Sequence, residues 1–232
     1  MTGEDPTTAD ATQVVAIDGP AGTGKSSVSR LLADEIGAQY LDTGAMYRAA
    51  SLAVLRAGLA PDDEDAVANL VSGLTIDLRD RDGDTVVLLD DEDVSTAIRA
   101  ADVTAAVSAV AANAAVREQM VRLQQEVAQG RFVVVEGRDI GTVVFPDAEV
   151  KVFLTAAATE RAKRRVLDLA ERGQVVSEAE ILHQIEARDA QDSGREVAPL
   201  RPAEDAVHVD STLMSMDEVI AEIAKLARAA GA

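Results

Sequence analysis

The sequence contains no cysteine and no tryptophan, and its few aromatic residues make up 2% of 232 residues. Without cysteine, the chain forms no disulfide, has no thiolate nucleophile and offers no cysteine ligand to zinc. The shortage of aromatic rings also disfavours proteins that stack the bases of single-stranded nucleic acids on their side chains. The chemistry of this chain therefore depends on hydroxyl, carboxylate, amine and guanidinium groups.

Basic residues are also scarce, since 22 Lys and Arg stand against 41 Asp and Glu and give a formal net charge of −19. Such a chain repels anionic polymers and anionic lipid surfaces, and we expect neither a nucleic acid polymer nor a membrane as its partner. No apolar run approaches the roughly 20 residues that span a bilayer. The polar, acidic segment 1–12 predicts a flexible tail and no secretion signal. We therefore expect a cytoplasmic monomer.

Short apolar runs alternate with helical patterns along most of the chain. The apolar runs predict buried parallel strands at 13–17, 39–41, 132–135, 150–154 and 206–209. The helical patterns lie at 25–35, 45–57, 101–129, 158–172, 178–189 and 216–229. This alternation predicts an α/β fold in which helices flank a five-stranded parallel sheet.

One stretch, 74–94, interrupts this alternation with two β-rich runs on either side of Asp82-Gly83. Asp-Gly suits a tight turn, so we predict an antiparallel hairpin inside an insert at about 62–100. The acidic residues of this insert lack the spacing of a calcium-binding loop and are expected to be solvated. We expect residues 13–232 to form a single domain that carries this insert and a lid region at about 158–195.

A glycine-rich segment lies between the first predicted strand and the first predicted helix. It matches the complete P-loop pattern with Gly19, Pro20, Ala21, Gly22, Thr23, Gly24, Lys25 and Ser26. In such loops, backbone N–H groups and the helix N-terminus hold phosphate oxygens, and the lysine reaches the outer phosphates. We expect Ser26 to ligate Mg²⁺ and Ser27 to complete the ATP-binding segment.

Charged residues also occur where other predicted strands end, at the sheet edge that binds ligands in this architecture. Arg48 follows the second strand, although its surroundings alone also fit an ordinary helix that Thr43 caps. Glu136 ends the third strand, as a Walker-B acid does near the metal, and Arg138 and Asp139 follow it. An arginine next to an aspartate at this edge indicates ligand binding.

Basic residues cluster on the predicted helix 158–172. They are Arg161, Lys163, Arg164 and Arg165. The cluster predicts a lid that closes over transferring phosphates, with a solvated helix face paired to neighbouring acids as the alternative. Farther along, Arg188 and Asp192 are spaced to share a helix face, and Arg195 follows a glycine that allows the chain to turn back.

Several segments together resemble the bacterial cytidylate kinases, a branch of the nucleoside monophosphate kinases. These segments are IDGPAGTGKSS, YLDTGAMYR, VSAVAANAAVRE, EGRDIGTVVFPDA, RDAQDSGREVAPL and DST. The resemblance runs from about Val14 to the C-terminus. It implies Mg²⁺-dependent transfer of the ATP γ-phosphoryl group to CMP or dCMP, and it implies that the hairpin insert enlarges the monophosphate-binding region.

The resemblance also implies residue roles. The residues implied in catalysis are Lys25, Arg138 and Arg195. From the basic cluster and the strand end described above, we expect Arg161 and Arg165 to join the P-loop at ATP and Glu136 to reach the metal of Ser26 through water. The residues implied to bind the phosphate of CMP are Arg48, Arg138 and Arg195. Those implied to bind the ribose are Arg188 and Asp192. Those implied to bind the base are Ser108, Arg117 and Asp139, and Thr43 is also placed at CMP.

The implied base contacts suit cytosine, because a carboxylate or hydroxyl accepts from the N4 amine while an arginine donates to N3 and O2. Uracil would leave such buried groups unpaired. We expect Ser108 and Arg117 to share roughly one face of a continuous helix 101–129. Two alternatives remain open, namely another nucleotide or small-metabolite kinase and a P-loop switch. For a guanine-binding switch, the sequence lacks an NKxD-type motif.

Overall fold

The computed structural model describes residues 12–81, 84–171 and 173–231. Most of the predicted tail 1–12 and the predicted Asp82-Gly83 turn lie outside these residues. The chain divides into two units. The first unit contains the described residues up to Leu41, Gln125–Gly194 and those from Ala198 onward, and the second contains Asp42–Gln124 and Arg195–Val197.

The strands and helices alternate along much of the described chain. The strands are β1 Gln13–Asp18, β2 Gln39–Asp42, β3 Ile76–Arg81, β4 Asp84–Leu89, β5 Glu92–Asp93, β6 Phe132–Gly137, β7 Val150–Thr155 and β8 Val207–Asp210. The helices are α1 Lys25–Ile36, α2 Thr43–Arg56, α3 Glu64–Val71, α4 Ala101–Val110, α5 Ala114–Ala128, α6 Ala158–Glu171, α7 Glu178–Ser193 and α8 Met216–Ala229. A short 3-10 helix, Ala97–Arg99, and a π-helical turn, Ile140–Val144, complete the set.

The first unit is built on a five-stranded parallel sheet in the order β2-β6-β1-β7-β8. The predicted sheet is therefore confirmed. Valine and isoleucine on both faces of the central strands are buried, as parallel strands covered by helices require. Several strands extend past the predicted apolar run to a polar residue, such as Asp18 in β1. Polar side chains are thereby fixed at the carboxyl edge of the sheet.

Helices α1 and α8 pack on this sheet and share its apolar core. The largest fully buried side chains there include Ile17, Leu32 and Leu154. Helices α6 and α7 pair with each other around a smaller cluster formed by Ala162, Leu169, Ile181 and Ile185. The α6–α7 pair therefore has its own hydrophobic contacts.

The second unit contains a three-stranded sheet in the order β3-β4-β5, in which both pairs are antiparallel. This confirms the predicted antiparallel hairpin. Helix α2 contacts α3, α4 and both long strands of this sheet. Helix α3 was not predicted, although Asp63 caps it by accepting from the Ala66 N–H at 3.1 Å. No helix among the described residues is long and apolar enough to cross a membrane.

The predicted helix 101–129 is wrong as one continuous element, because the structure divides it into α4 and α5. Asn113 lies between them, and its side-chain oxygen accepts from the N–H groups of Ala115 and Val116. Its side-chain nitrogen donates to the carbonyl of Glu64 at 2.8 Å. Asparagine is a favoured N-cap residue, so α5 starts anew at this position.

Candidate active site

The glycine-rich loop connects β1 to α1 at the carboxyl edge of the sheet. Gly19 has a φ of +149°, and a Cβ atom there would lie 2.0 Å from the carbonyl oxygen of Leu154. Gly24 precedes α1 with a φ of +88°, and no side chain caps the helix at that position. The first turn of α1 therefore keeps backbone N–H groups without a side-chain cap, as in helix N-termini that bind phosphate.

Lys25 is buried, and its Nζ donates to the carbonyl of Pro20 at 2.7 Å. Burial and the nearby positive charge of Arg138 lower the pKa of Lys25 well below its ordinary value, while Glu136 and Asp18 oppose this shift. A bound anion would favour the charged lysine. The P-loop lysine and Arg138, which lie far apart in sequence, therefore interact electrostatically in one site.

Glu136 lies at the carboxyl end of β6, opposite Ile17 of β1. Its Oε1 accepts from the hydroxyl of Tyr40, which lies on β2, at 2.5 Å. Ser26 is exposed in the first turn of α1. No group of three or more acidic or histidine side chains able to hold a metal by itself occurs in the described residues. A serine hydroxyl and one carboxylate fit Mg²⁺ that is bound mainly by nucleotide phosphates and water.

Arg138 and Asp139 follow β6 directly. The Nε of Arg138 donates to Oδ2 of Asp192 at 3.0 Å, and its Nη1 donates to the carbonyl of Gly137 at 3.1 Å. Asp139 is buried and precedes the π-helical turn. Arg188 lies on α7 with Asp192, as predicted, and its positive charge also lowers the pKa of Lys25. The structure thus brings Lys25, Arg138 and Arg188 close together.

Asp18 is the last residue of β1 and is 4% exposed. Its two carboxylate oxygens accept from the N–H groups of Ile140 and Gly141, each at 2.8 Å. Burial raises the pKa of Asp18 from 3.8 to about 6, even though these two hydrogen bonds favour the charged form. A carboxylate at the start of the glycine loop is thereby joined to the turn that carries Arg138.

The predicted lid arginines occupy different environments. Arg161 is buried and donates to the carbonyls of Ala156 and Ala21 and, at 2.6 Å, to Oδ2 of Asp189. Arg164 donates to the carbonyl of Ser211. Arg165 is exposed on α6. In this structure, Arg161 therefore contacts the P-loop backbone and α7.

The remaining predicted site residues lie in the second unit. Thr43 is buried at the first position of α2, where Asp42 is the cap because its carboxylate accepts from the Ala45 N–H at 2.9 Å. Arg48 is half-buried on the same helix, and Arg195 is half-buried in the segment Arg195–Val197. The alternative in which Thr43 serves only as the cap of this helix is therefore wrong.

Ser108 and Arg117 are both buried. Ser108 lies on α4 and Arg117 on α5, so the expectation that one helix face carries both is wrong. Nine residues at about 100° each would also have placed them on opposite faces of a continuous helix. The Arg117 guanidinium lies 5.7 Å from the ring centroid of Tyr47 and donates to the carbonyl of Ala111 at 3.4 Å. This contact with an aromatic face suits a cation whose position must be fixed.

A family model described as cytidylate kinase matches residues 15–229 of this sequence. The chain belongs to the cytidylate kinase family. It is similar to a cytidylate kinase of Nocardia farcinica, with 51% identity over 218 residues that cover 94% of each chain. It is also similar to a cytidylate kinase of Geobacter sulfurreducens, with 48% identity over 215 residues, or 93% of this chain and 92% of that protein.

Among solved structures, the chain is similar to a gluconokinase from Sinorhizobium meliloti, with a TM-score of 0.48 and 16% identity. The match covers 95% of this chain and 94% of that one. The assignment to the cytidylate kinase family rests on the sequence matches. It confirms the predicted family.

Two residues of this cytidylate kinase family member were missed by the sequence analysis. Asp18 stands directly before the first loop glycine, and a charged residue that ends an apolar strand was the signal for its role. Tyr40 lies within the short strand pattern 39–41, and nothing in its surroundings predicts that its hydroxyl reaches Glu136. Both contacts join segments that are about a hundred residues apart.

Proposed function

We propose that this chain transfers the γ-phosphoryl group of ATP to CMP or dCMP, giving ADP and CDP or dCDP. The relatives named cytidylate kinase match it over more than nine-tenths of its length, which supports this acceptor. The observation that carries the proposal is that β1, which leads into the P-loop and Lys25, and β6, which leads into Arg138, are neighbouring parallel strands whose ends pair at Asp18 and Gly137. A site that holds two phosphate-bearing ligands needs cations from two parts of the chain acting on the same small volume.

We assign the phosphates of ATP to the P-loop. Uncapped N–H groups at the start of α1 and the positive end of its helix dipole suit the anionic donor. We propose that Lys25 contacts the outer phosphates, where the reacting bond lies. Arg161 supports this loop through the carbonyl of Ala21, and we propose that Arg161 and Arg165 also contact the donor.

We assign the acceptor nucleotide to three groups of residues, one for each part of the molecule. We propose that Arg48, Arg138 and Arg195 bind its phosphate and that Arg188 and Asp192 bind its ribose. We propose that Ser108, Arg117 and Asp139 bind its base, and that Thr43 also contacts CMP. Among these residues, Asp192 fixes the orientation of the Arg138 guanidinium through an ion pair. A planar guanidinium held in this way suits the binding of a phosphate through two parallel N–H groups. We propose that the hairpin-containing insert 62–100 belongs to the monophosphate-binding region and that 158–195 acts as a lid.

We propose that Mg²⁺ accompanies ATP. Ser26 would hold the ion directly and Glu136 would act through a water molecule, with Tyr40 orienting the carboxylate. When bound, the ion neutralises charge on the donor phosphates.

Phosphoryl transfer through a loose transition state requires alignment and positive charge more than proton transfer. The second pKa of a phosphate monoester is about 6, so the acceptor oxygen is already anionic near neutral pH. Hence the residues of this chain need not supply a general base. Their proposed work is to align acceptor and donor, to balance the spreading negative charge and to exclude water that would otherwise accept the phosphoryl group.

A substrate panel tests the proposal. The purified chain is assayed with ATP and each of CMP, dCMP, UMP, AMP, GMP and shikimate, and ADP formation is followed by a coupled assay. We expect CMP or dCMP to be preferred over UMP by about 100-fold or more in kcat/KM, because uracil leaves buried polar groups unpaired. Equal rates with UMP and CMP contradict the proposed base recognition. Preference for shikimate or a purine nucleotide contradicts the acceptor assignment.

A further inference from the structure

The carboxylate of Asp18 joins two distant parts of the chain, and it has no role in the proposed binding of ATP or CMP. Both of its oxygens are occupied, one by the N–H of Ile140 and the other by the N–H of Gly141, each at 2.8 Å. The contacting residues are more than a hundred positions away in sequence. Within the first unit, this is a direct link between the end of β1 and the chain that follows β6.

The segment that Asp18 holds has an unusual backbone. After Asp139 the chain forms the π-helical turn Ile140–Val144, in which the Val144 N–H donates to the carbonyl of Asp139 and the Phe145 N–H to that of Ile140. The first N–H groups of any helical turn have no partner within it. Here the side chain of Asp139 provides no cap, and Asp18 serves as the cap from a different strand.

The position of this cap matters because of its neighbours along the chain. Asp18 immediately precedes Gly19, the first glycine of the P-loop. The turn that it holds begins directly after Arg138 and Asp139. The same carboxylate therefore fixes the distance between the backbone that enters the donor loop and the backbone that carries two proposed acceptor contacts.

Burial of the ionised Asp18 carboxylate costs free energy, because the charge is removed from water. Asp18 is 4% exposed, and the negative charge of Asp139 nearby disfavours its ionised form, while Lys25 favours it. Buried charges that remain under such conditions concentrate at functional sites. A neutral side chain could fill this position without that desolvation penalty, but it could not accept two N–H groups with two equivalent oxygens.

We propose that Asp18 is a positioning residue for phosphoryl transfer, and that its bidentate contact holds the Arg138–Asp139 turn in register with the P-loop. The inference rests on the proposed function, because Arg138 and Asp139 are there assigned to CMP. Asp18 acts through that turn and touches neither substrate.

The test variant is Asp18→Asn, which keeps the size of the side chain. Its amide has one acceptor oxygen, which keeps one hydrogen bond, while its NH₂ group faces the other backbone N–H and makes that contact repulsive. Misplacement of the turn by about 1 Å should lower kcat/KM for CMP by about 100-fold. The KM for ATP should stay within about twofold, because uniform donor binding by the P-loop backbone is unchanged.

The matched control is Glu149→Gln. Glu149 also accepts a backbone N–H of β1 through its carboxylate, that of Val14 at 2.7 Å, but at the opposite end of the strand. We expect this variant to keep wild-type kinetics for both substrates. Asp18→Glu retains the charge but displaces it by one methylene, so its kcat/KM for CMP should also fall. This variant replaces Asp18→Asn in the test if Asp18→Asn does not fold.

Amide hydrogen exchange followed by NMR gives a readout that needs no substrate. In Asp18→Asn the amide that faces the new NH₂ group, either that of Ile140 or that of Gly141, should exchange about tenfold faster than in the wild type, as loss of one hydrogen bond predicts. In Glu149→Gln the amides of Ile140 and Gly141 should exchange at the wild-type rate. Unchanged exchange at Ile140 and Gly141 overturns the inference, and so does faster exchange with unaltered CMP kinetics or an equal rise in the KM for ATP.

Failure of the proposed function is recognised separately. If the wild-type chain prefers an acceptor other than CMP, the function is wrong, and the kinetics of Asp18→Asn are then compared with that acceptor. If the wild type uses CMP and the Asp18→Asn variant uses it equally well, the function stands and the positioning role is refuted.

Discussion

The P-loop and the turn after β6 both present cations at the carboxyl edge of the same sheet, but they are stabilised differently. In the P-loop, the contacts of Lys25 and Thr23 are made to the carbonyl of Pro20, a few residues away. The turn after β6 depends on distant groups, since Asp18 holds its backbone and Asp192 holds the Arg138 side chain. A donor site can thus be built locally, whereas this acceptor-side turn depends on tertiary contacts.

The difference follows from what each region must do. A triphosphate is bound mainly by backbone N–H groups, whose directions are set by local dihedral angles such as the positive φ of Gly22 and Gly24. Recognition of a particular acceptor needs side chains at fixed positions, and such positions are held by neighbouring elements. The P-loop also has one long-range contact, because Arg161 donates to the carbonyl of Ala21 and to Asp189 of α7.

Removal of the loop cation should give the largest effect. In Lys25→Ala we expect kcat to fall by about 1,000-fold, because a preorganised positive charge at the reacting phosphates is lost. CMP affinity should change little, which isothermal calorimetry can measure alongside steady-state kinetics. The control is Lys225→Ala, since Lys225 is exposed on α8. Near-normal turnover in Lys25→Ala would contradict the role of the loop.

Removal of the turn cation should affect the acceptor selectively. In Arg138→Ala we expect the KM for CMP to rise by about 100-fold, as for a lost hydrogen bond to a charged group, with ATP binding nearly unchanged. Arg131→Ala is the control, because Arg131 precedes β6 at its other end and donates to Gln39 at the surface. If ATP affinity falls as far as CMP affinity, the division between the two regions is wrong.

The smallest expected effect is a pH dependence of stability from Asp18. Its pKa in the folded chain is raised to about 6 from the ordinary value of 3.8, so the folded state holds this proton more tightly than the unfolded state. The contribution of this group to stability is therefore present at low pH and is lost as pH rises through about 6. Between pH 5 and pH 7 the wild type should lose about 1 kcal/mol relative to Asp18→Asn.

Urea unfolding of both proteins at several pH values measures this difference. Other titrating groups act in both proteins, so comparison with Asp18→Asn isolates the contribution of Asp18 and of groups coupled to it, chiefly Asp139 and Lys25. A difference that is constant with pH, or one that favours the wild type as pH rises, would contradict the raised pKa.

Much of the first unit could be predicted because its signals are local. The strand β1, the glycine loop and α1 follow one another without interruption, and apolar strands bounded by polar residues indicate a covered parallel sheet. The positions of Arg188 and Asp192 on one helix were equally local. Each of these features depends on residues within a few positions of one another.

The errors concern features in which a local pattern competes with a nonlocal contact. The alanine-rich run through Ala112 favours a continuous helix, but Asn113 caps a new helix and also donates to the distant Glu64 carbonyl. Helix α3 has only eight residues, about two turns, so its apolar repeat is too short to separate it from the surrounding loop in the sequence. At α2, Asp42 and Thr43 are both acceptable caps, and the observed backbone selects Asp42.

The sequence by itself determined that a P-loop follows the first strand of a parallel sheet, and its motifs indicated the cytidylate kinase family. These conclusions need only residue order, because dihedral preference and apolar periodicity act over short distances. Tertiary structure decided that Asp18 caps the turn after Asp139, that Tyr40 orients Glu136 and that Asp192 receives Arg138. Such contacts join residues that lie far apart in the sequence and meet only when the chain folds. The number of residues between two positions does not determine their distance in the folded protein.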